Sequence, residues 1–211
     1  VSSTSVSGAP ASAAVSSIPY IRAGWGPTLL DGTEAIEGLT VDTELRWTFV
    51  QRLAAVGLLD EEEIAAEYER DRTAAGERHA AVARAAQPSE EAKAEAWASV
   101  VESGNLPNAL QEAVISGFVQ PDQRELLAPY VEKYFASVKG ISDSRSHEMA
   151  QQIIVGLYPT LHVSQETLDA TDAWLDSAEP SAALRRLMSE SRAGVERSLK
   201  AQAADAAAAT A

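Results

Sequence analysis

The chain has 211 residues, of which 45% are hydrophobic, 23% charged and 6% aromatic, and it contains no cysteine. The length allows one domain with a substantial core, and the lack of cysteine excludes disulfides, thiolate zinc sites and cysteine nucleophiles. A formal net charge of −14 repels phosphate, so neither nucleic acids nor anionic membrane surfaces are expected partners. No apolar run approaches the ~20 residues of a membrane helix, and these features fit a cytoplasmic protein.

Residues 1–27 are rich in Ser, Ala and Gly, carry prolines at positions 10, 19 and 27, and show no sustained periodicity. This composition predicts a linker or a loosely attached arm. A signal peptide is not predicted, because the segment has neither a basic start nor an apolar stretch. A chain that begins at Val1 inside such a segment also suggests a fragment or a processed product.

Helix start and stop signals follow one another through the next part of the chain. Thr43 is a predicted N-cap for a helix that ends at Gly57 and that we expect to be buried nearly all round. Asp60 and Glu63 form a predicted capping box at the start of the next helix. Two further helices are predicted, with starts at Thr73 and Ser89 and ends at Pro88 and Gly104.

The second half of the chain continues the pattern. Helices are predicted after Asn105, over 121–138 as a short and a longer helix, near 144–157, from Ser164, and from about Ser181. Residues 201–211 are an alanine-rich tail that either extends the last helix or frays. Because each helix is too short to bury its apolar face alone, these nine or ten helices predict an all-α fold, a curved stack of antiparallel helix pairs.

One segment, His147-Glu148-Met149-Ala150-Gln151, partly matches the HExxH motif of zinc peptidases. That motif needs histidines at i and i+4 on one helix face, with the glutamate as general base. Position 151 is glutamine, a poor zinc ligand, and the whole chain has three histidines. We therefore predict no metal site and no catalytic site, and interpret the histidines as surface or helix-packing residues.

Two arginines stand out because they lie on the otherwise apolar helix that follows Thr43. The guanidinium groups of Arg46 and Arg52 must either pair with an internal acid or face a cavity, where they would attract a peptide carboxylate. If Arg46 is internal, its replacement by alanine destabilises the fold more than the replacement of Arg145. Trp47, Trp97 and Trp174 lie in predicted helices and are interpreted as core residues.

Over residues 28–200 the chain resembles the C-terminal helical domain of actinobacterial zinc aminopeptidases of the aminopeptidase N family. The stretches that carry the resemblance are 29–33, 38–47, 51–55, 78–81, 105–109, 117–118, 126–131, 134–135, 148–151, 172–175 and 184–187. The resemblance implies a superhelical stack of HEAT- or armadillo-like helix pairs that bounds a peptide-binding cavity. It also adds Asn108 and Tyr134 to Arg46 and Arg52 as candidate cavity-facing residues.

The family's zinc ligands and substrate-binding motif lie in earlier domains, and residues 1–27 do not resemble the sequence that precedes this domain in the family. The resemblance therefore implies no cofactor in this chain and no aminopeptidase activity from it alone. Two functions stay open. The chain is either the non-catalytic C-terminal domain of an aminopeptidase, with the catalytic domain as its partner, or a free-standing helical-repeat module that binds a peptide or another protein.

Overall fold

The computed structural model describes residues 25–177 and 179–209, and this part of the chain is helical, with no strand. The prediction of an all-α fold is confirmed. The α-helices are α1 (Trp25–Asp31), α2 (Thr43–Ala55), α3 (Glu61–Arg70), α4 (Ala74–Ala86), α5 (Glu90–Trp97), α6 (Asn108–Phe118), α7 (Arg124–Leu127), α8 (Pro129–Ser144), α9 (His147–Gly156), α10 (Gln165–Ser177) and α11 (Ala182–Ala209). A π-helical segment (Ala98–Ser103) follows α5, and a 3-10 turn (Pro121–Gln123) precedes α7.

Most of the predicted helix caps are present. Asp60 and Glu63 form the reciprocal capping box of α3, and the side chains of Thr73 and Ser89 cap α4 and α5. The prediction that Thr43 caps α2 is wrong. Asp42 is the N-cap, and its Oδ1 accepts a hydrogen bond from the backbone N–H of Leu45, 2.9 Å away. An aspartate carboxylate is a good N-cap acceptor, so the helix begins at Thr43, one residue earlier than expected.

The helix predicted from Ser89 to Gly104 is not regular throughout. It changes to π-helix over Ala98–Ser103 and ends at Gly104, whose φ of 66° lies in the left-handed region. The guanidinium of Arg145 packs against Gly104 where a Cβ would stand, and it donates to the carbonyl of Val101 at 2.9 Å. Glycine is required here for two reasons, its backbone conformation and the close approach of Arg145.

The helices pack in two rows. In the first row α2, α4, α6, α9 and α11 each pack against the next. In the second row α3 packs on α2 and α4, α5 packs on α4 and α6, and α8 and α10 cover α9 and α11 respectively. Two buried side chains bridge helix ends in the first row. The amide of Gln123 donates to the carbonyls of Ala55 and Ala86, and the ammonium of Lys93 donates to those of Ala85 and Phe118.

These bridges show how the helices of the first row run relative to one another. The C-terminal ends of α2, α4 and α6 lie side by side, so the three helices run parallel, and α3 and α5 return the chain between them. Within the row, glycine allows close approach. A Cβ on Gly117 of α6 would overlap the backbone carbonyl of Val82 in α4, and one on Gly156 of α9 would overlap the side chain of Ile115 in α6.

The buried apolar residues form two clusters that meet in α4. The N-terminal core comprises Leu29, Trp47, Phe49, Val50, Leu53, Ala54, Leu59, Ile64, Ala80 and Ala83. The C-terminal core extends from Ala85 to Val195 and includes most of the buried aromatic residues. Helix α4 is rich in alanine, and its small side chains let helices of both cores pack closely against it. Trp47, Trp97 and Trp174 are buried, which confirms their prediction as core residues.

Helices extend into both of the segments predicted as an N-terminal arm and a C-terminal tail. Residues 1–24 of the predicted arm lie outside the described residues, and α1 begins at Trp25, within the predicted arm. Helix α11 continues without interruption to Ala209, so the alanine-rich tail extends the last helix up to that residue. Residues 201–209 of this helix are exposed. No helix in the described ranges combines the length and the apolar character that crossing a bilayer requires.

Candidate functional site

Arg46 is held in an internal ion pair. Its Nε and Nη2 donate to the two carboxylate oxygens of Glu67 at 2.7 and 2.6 Å, and its Nη1 donates to the carbonyl of Leu30 at 2.7 Å. The Glu67 side chain is 6% exposed, and its hydrogen bonds raise the pKa of Arg46 above the usual value. Of the two predicted roles for Arg46, the structure shows the ion pair. Each of its three nitrogen atoms donates a hydrogen bond within the chain, and the guanidinium is held against Glu67.

A second polar network, which the sequence did not reveal, joins α2, α3 and α4. The indole of Trp47 donates to Asp71 at 2.9 Å, and Thr73 donates to the other carboxylate oxygen at 2.8 Å. These hydrogen bonds, that from Trp47 foremost, hold the pKa of Asp71 below its usual value. His79 stacks on Trp47 with 5.6 Å between ring centroids, and its Nδ1 lies 3.0 Å from the amide of Gln51. His79 is therefore a helix-packing residue, as predicted.

The other three candidate residues, Tyr134, Arg52 and Asn108, differ in how far their side chains are buried. Tyr134 does not face a cavity. It is 1% exposed, and its hydroxyl donates to the carbonyl of Ile154 at 2.7 Å and contacts the sulfur of Met188. The aromatic ring fills the C-terminal core because it lies on the apolar face of α8. Arg52 is exposed near the end of α2, and Asn108 is half-buried at the first residue of α6. A role for these two residues in peptide binding stays a prediction.

The HExxQ segment forms the first two turns of α9. His147, Glu148 and Gln151 are exposed, and Ser146 caps the helix through its hydroxyl. Over the described ranges 25–177 and 179–209, no three His, Asp or Glu side chains are arranged to hold a metal ion. Glu148 and Gln151 do lie at a common surface feature, a groove between α6 and α9 of about 440 Å³.

A larger groove of about 550 Å³ lies where α4, α5 and α6 meet. Alanines of the facing helices, including Ala85 and Ala92, form its floor because their small side chains leave the helix junction open. Arg84 at its rim forms an ion pair with Glu61 at 2.8 Å, and this pair compensates the charge of the arginine. None of the four candidate residues lines either groove. The structure therefore does not gather the predicted site residues into one site.

Lys93 is a buried charged residue that was not predicted from the sequence. Its side chain is fully buried, its Nζ lies 2.7 and 3.2 Å from the carbonyls of Ala85 and Phe118, and the Phe118 ring centroid is 5.7 Å away. Burial lowers the pKa of Lys93 to about 8. An ammonium at the C-terminal ends of two parallel helices stabilises their partial negative charge, so Lys93 has a structural role.

Comparison with known proteins gives the family. Residues 24–197 match the model of the ERAP1-like C-terminal domain. An aminopeptidase N from Streptomyces lividans is 76% identical over 181 residues, which cover 86% of this chain and 21% of the relative. The chain thus spans about a fifth of the length of that relative, and the match agrees with the resemblance noted in the sequence. The chain belongs to the ERAP1-like C-terminal domain family and is similar to that domain of an actinobacterial aminopeptidase N.

Proposed function

We propose that this chain is the non-catalytic C-terminal domain of a zinc aminopeptidase and that its first row of helices bounds the peptide-binding cavity. The family match and the similarity to the Streptomyces aminopeptidase N support the enzyme class. Zinc and its ligands would lie in the catalytic domain, outside this chain. A cytoplasmic location remains a prediction.

The observation that carries the proposed cavity wall is the unequal spacing of the two rows. Gly117 and Gly156 let α4, α6 and α9 approach one another closely in the first row. In the second row α3 and α5 make little contact with each other, because each packs mainly on the first row. A stack whose helices are closer on one side bends toward that side. We infer a HEAT-like superhelix with the first row on its concave face.

The role of such a wall is to limit access. A concave helical surface placed over an active site restricts which peptides enter and keeps bulk water from the bound peptide, while the catalytic residues lie elsewhere. The acidic composition suits this role, because like charges on the wall disfavour entry of acidic peptides. In this proposal the chain alone releases no amino acid from a fluorogenic aminoacyl substrate in the presence of zinc, and release above a chelator control would contradict it.

The cavity wall is tested by labelling with a bulky maleimide, since the chain contains no cysteine of its own. Ser116 is exposed on α6 in the first row, and Ala136 is exposed on α8 in the second row. We expect S116C to react several-fold more slowly in the intact enzyme than in this chain alone, whereas A136C reacts equally in both. Equal protection of both positions, or of neither, would contradict the proposed wall.

The coding sequence upstream of Val1 separates this function from a free-standing binding module. Several hundred in-frame residues that carry HExxH would support the aminopeptidase domain. A start codon at or near Val1 would instead support the free-standing module.

A further inference from the structure

The groove between α6 and α9, here called the α6–α9 groove, combines an apolar floor with an acidic rim. Its floor is formed by Ile115, Val155 and Gly156. Val155 is 45% exposed, which is unusual for a large aliphatic side chain in this structure. Ile115 packs against Gly156 where a Cβ would stand, so α6 and α9 approach each other closely at the floor of the groove.

The rim carries a carboxylate on each helix. Glu112 lies on α6 and Glu148 on α9, and both line the groove and are exposed. Within the described part of the chain neither carboxylate has a hydrogen-bond or ion-pair partner, in contrast to Glu61 at the larger groove, which pairs with Arg84. The amide of Gln151 lies beside Glu148 on the same rim and offers a further acceptor. The rim therefore has uncompensated negative charge on both sides of an apolar surface.

This combination matches one type of ligand. Lysine and arginine side chains have an apolar stem that packs on hydrophobic surface and a charged head that stays hydrated or pairs with acids. We propose that the α6–α9 groove binds an arginine or lysine side chain of a peptide, with the stem on Val155 and Ile115 and the head between Glu112 and Glu148. The inference rests on the proposed function in one respect. In the intact enzyme a peptide would reach this groove only if the first row of helices bounds the peptide-binding cavity.

The experiment measures peptide binding to this chain by fluorescence anisotropy at low ionic strength. The probes are a labelled Ala-Ala-Arg-Ala-Ala-Ala peptide and the same peptide with citrulline, an uncharged analogue, in place of arginine. We expect the arginine peptide to bind about five- to tenfold more tightly, since two partly exposed ion pairs together contribute on the order of 1 kcal/mol. The double variant E112Q/E148Q should lose this preference, and V155S should weaken binding of both peptides.

A matched control separates a specific site from general attraction to an acidic protein. Glu102 and Glu125 are exposed and do not line the groove, so E102Q/E125Q changes the net charge by the same amount. This variant should keep the preference for arginine. Equal loss of preference in both double variants, no preference in the wild-type chain, or no detectable binding would each overturn the proposal.

The outcome is independent of the labelling experiment on the cavity wall. Peptide binding is measured on this chain by itself, so a failed preference for arginine leaves the protection of S116C in the intact enzyme unaffected. Conversely, equal labelling of S116C and A136C would contradict the wall without removing an arginine preference that depends on Glu112 and Glu148.

Discussion

The N-terminal and C-terminal cores are built from the same kind of helix but are held together differently. The N-terminal core contains two buried aromatic residues, Trp47 and Phe49, and fixes its helices with charged hydrogen bonds from Trp47 to Asp71 and from Arg46 to Glu67. The C-terminal core instead packs aromatic rings against one another, with centroid separations between 5.0 and 6.5 Å. Its buried hydroxyls and ammonium bond to neutral acceptors, mainly backbone carbonyls. Its ion pair between Arg192 and Asp172 is more exposed than that between Arg46 and Glu67.

The difference has a physical consequence for how each core responds to its surroundings. Aromatic contacts depend on buried area and geometry and are insensitive to pH. Charged hydrogen bonds are stronger individually and fix helix register, but they depend on the ionisation of each partner. We therefore expect acid to weaken the N-terminal core first, whereas the C-terminal core responds to alkaline pH through Lys93.

The largest expected effect is that of replacing Trp47. W47A should lower the free energy of unfolding by about 3–5 kcal/mol, because it removes a fully buried aromatic side chain and leaves Asp71 without its indole donor. Urea unfolding followed by circular dichroism measures the change.

The variant W47F separates packing from hydrogen bonding. It keeps most of the buried area and should cost about 1–3 kcal/mol through the lost hydrogen bond to Asp71. If W47F were as stable as the wild-type chain, the N-terminal core would depend on apolar packing alone, and the contrast between the two cores would disappear.

The next largest effect concerns the ion pair of Arg46. R46A should cost about 2–3 kcal/mol, because it leaves the nearly buried carboxylate of Glu67 with only the more distant Arg70, 3.8 Å away. R145A should cost about 1 kcal/mol, since it removes the hydrogen bond to Val101 and the cover over Gly104. R186A, which breaks an exposed pair with Glu190, should change stability by less than about 0.5 kcal/mol. Thermal melts of the three variants give the order, and equal shifts would contradict it.

Much of the fold was predictable from the sequence, because helix caps and stops are local signals. Asp60, Ser89 and Gly104 mark helix ends through interactions with residues a few positions away, and the structure confirms them. Neither the π-helical segment nor the contact that covers its end was predicted. Arg145 lies more than forty residues further along the chain, and its packing against Gly104 depends on the tertiary fold.

The candidate site was less predictable for the same reason. Arg46 carried a usable signal, a charge on an apolar helix, and it has the internal partner that one of its two predicted roles required. Tyr134 carried no signal that separates a core tyrosine from a cavity tyrosine, because both lie on the apolar face of a helix. The buried position of Lys93 could not be predicted, because its hydrogen-bond partners are backbone carbonyls, which every residue has.

Lys93 is expected to change the free energy of unfolding by a smaller amount, and only at alkaline pH. Burial lowers its pKa in the folded chain to about 8, whereas in the unfolded chain it stays near 10.4. Between these values the unfolded state binds the proton that the folded state has released, so the free energy of unfolding rises with pH. We expect a gain of about 1–2 kcal/mol between pH 7.5 and 9.5, measured by urea unfolding. K93M should remove this slope, and the same slope in both proteins would assign it to other groups.

The smallest effect is expected at acid pH and concerns Asp71. Hydrogen bonds from Trp47 and Thr73 hold its pKa below the unfolded value, so the stability they contribute is present above about pH 4 and is lost as the pH falls through the folded pKa. D71N removes the charge and should lower the melting temperature at pH 6 but have a smaller effect at pH 3. Carboxylates elsewhere titrate in both proteins, so their contributions cancel in the difference. A difference that stays constant from pH 6 to pH 3 would show that the charge on Asp71 does not hold the N-terminal core together.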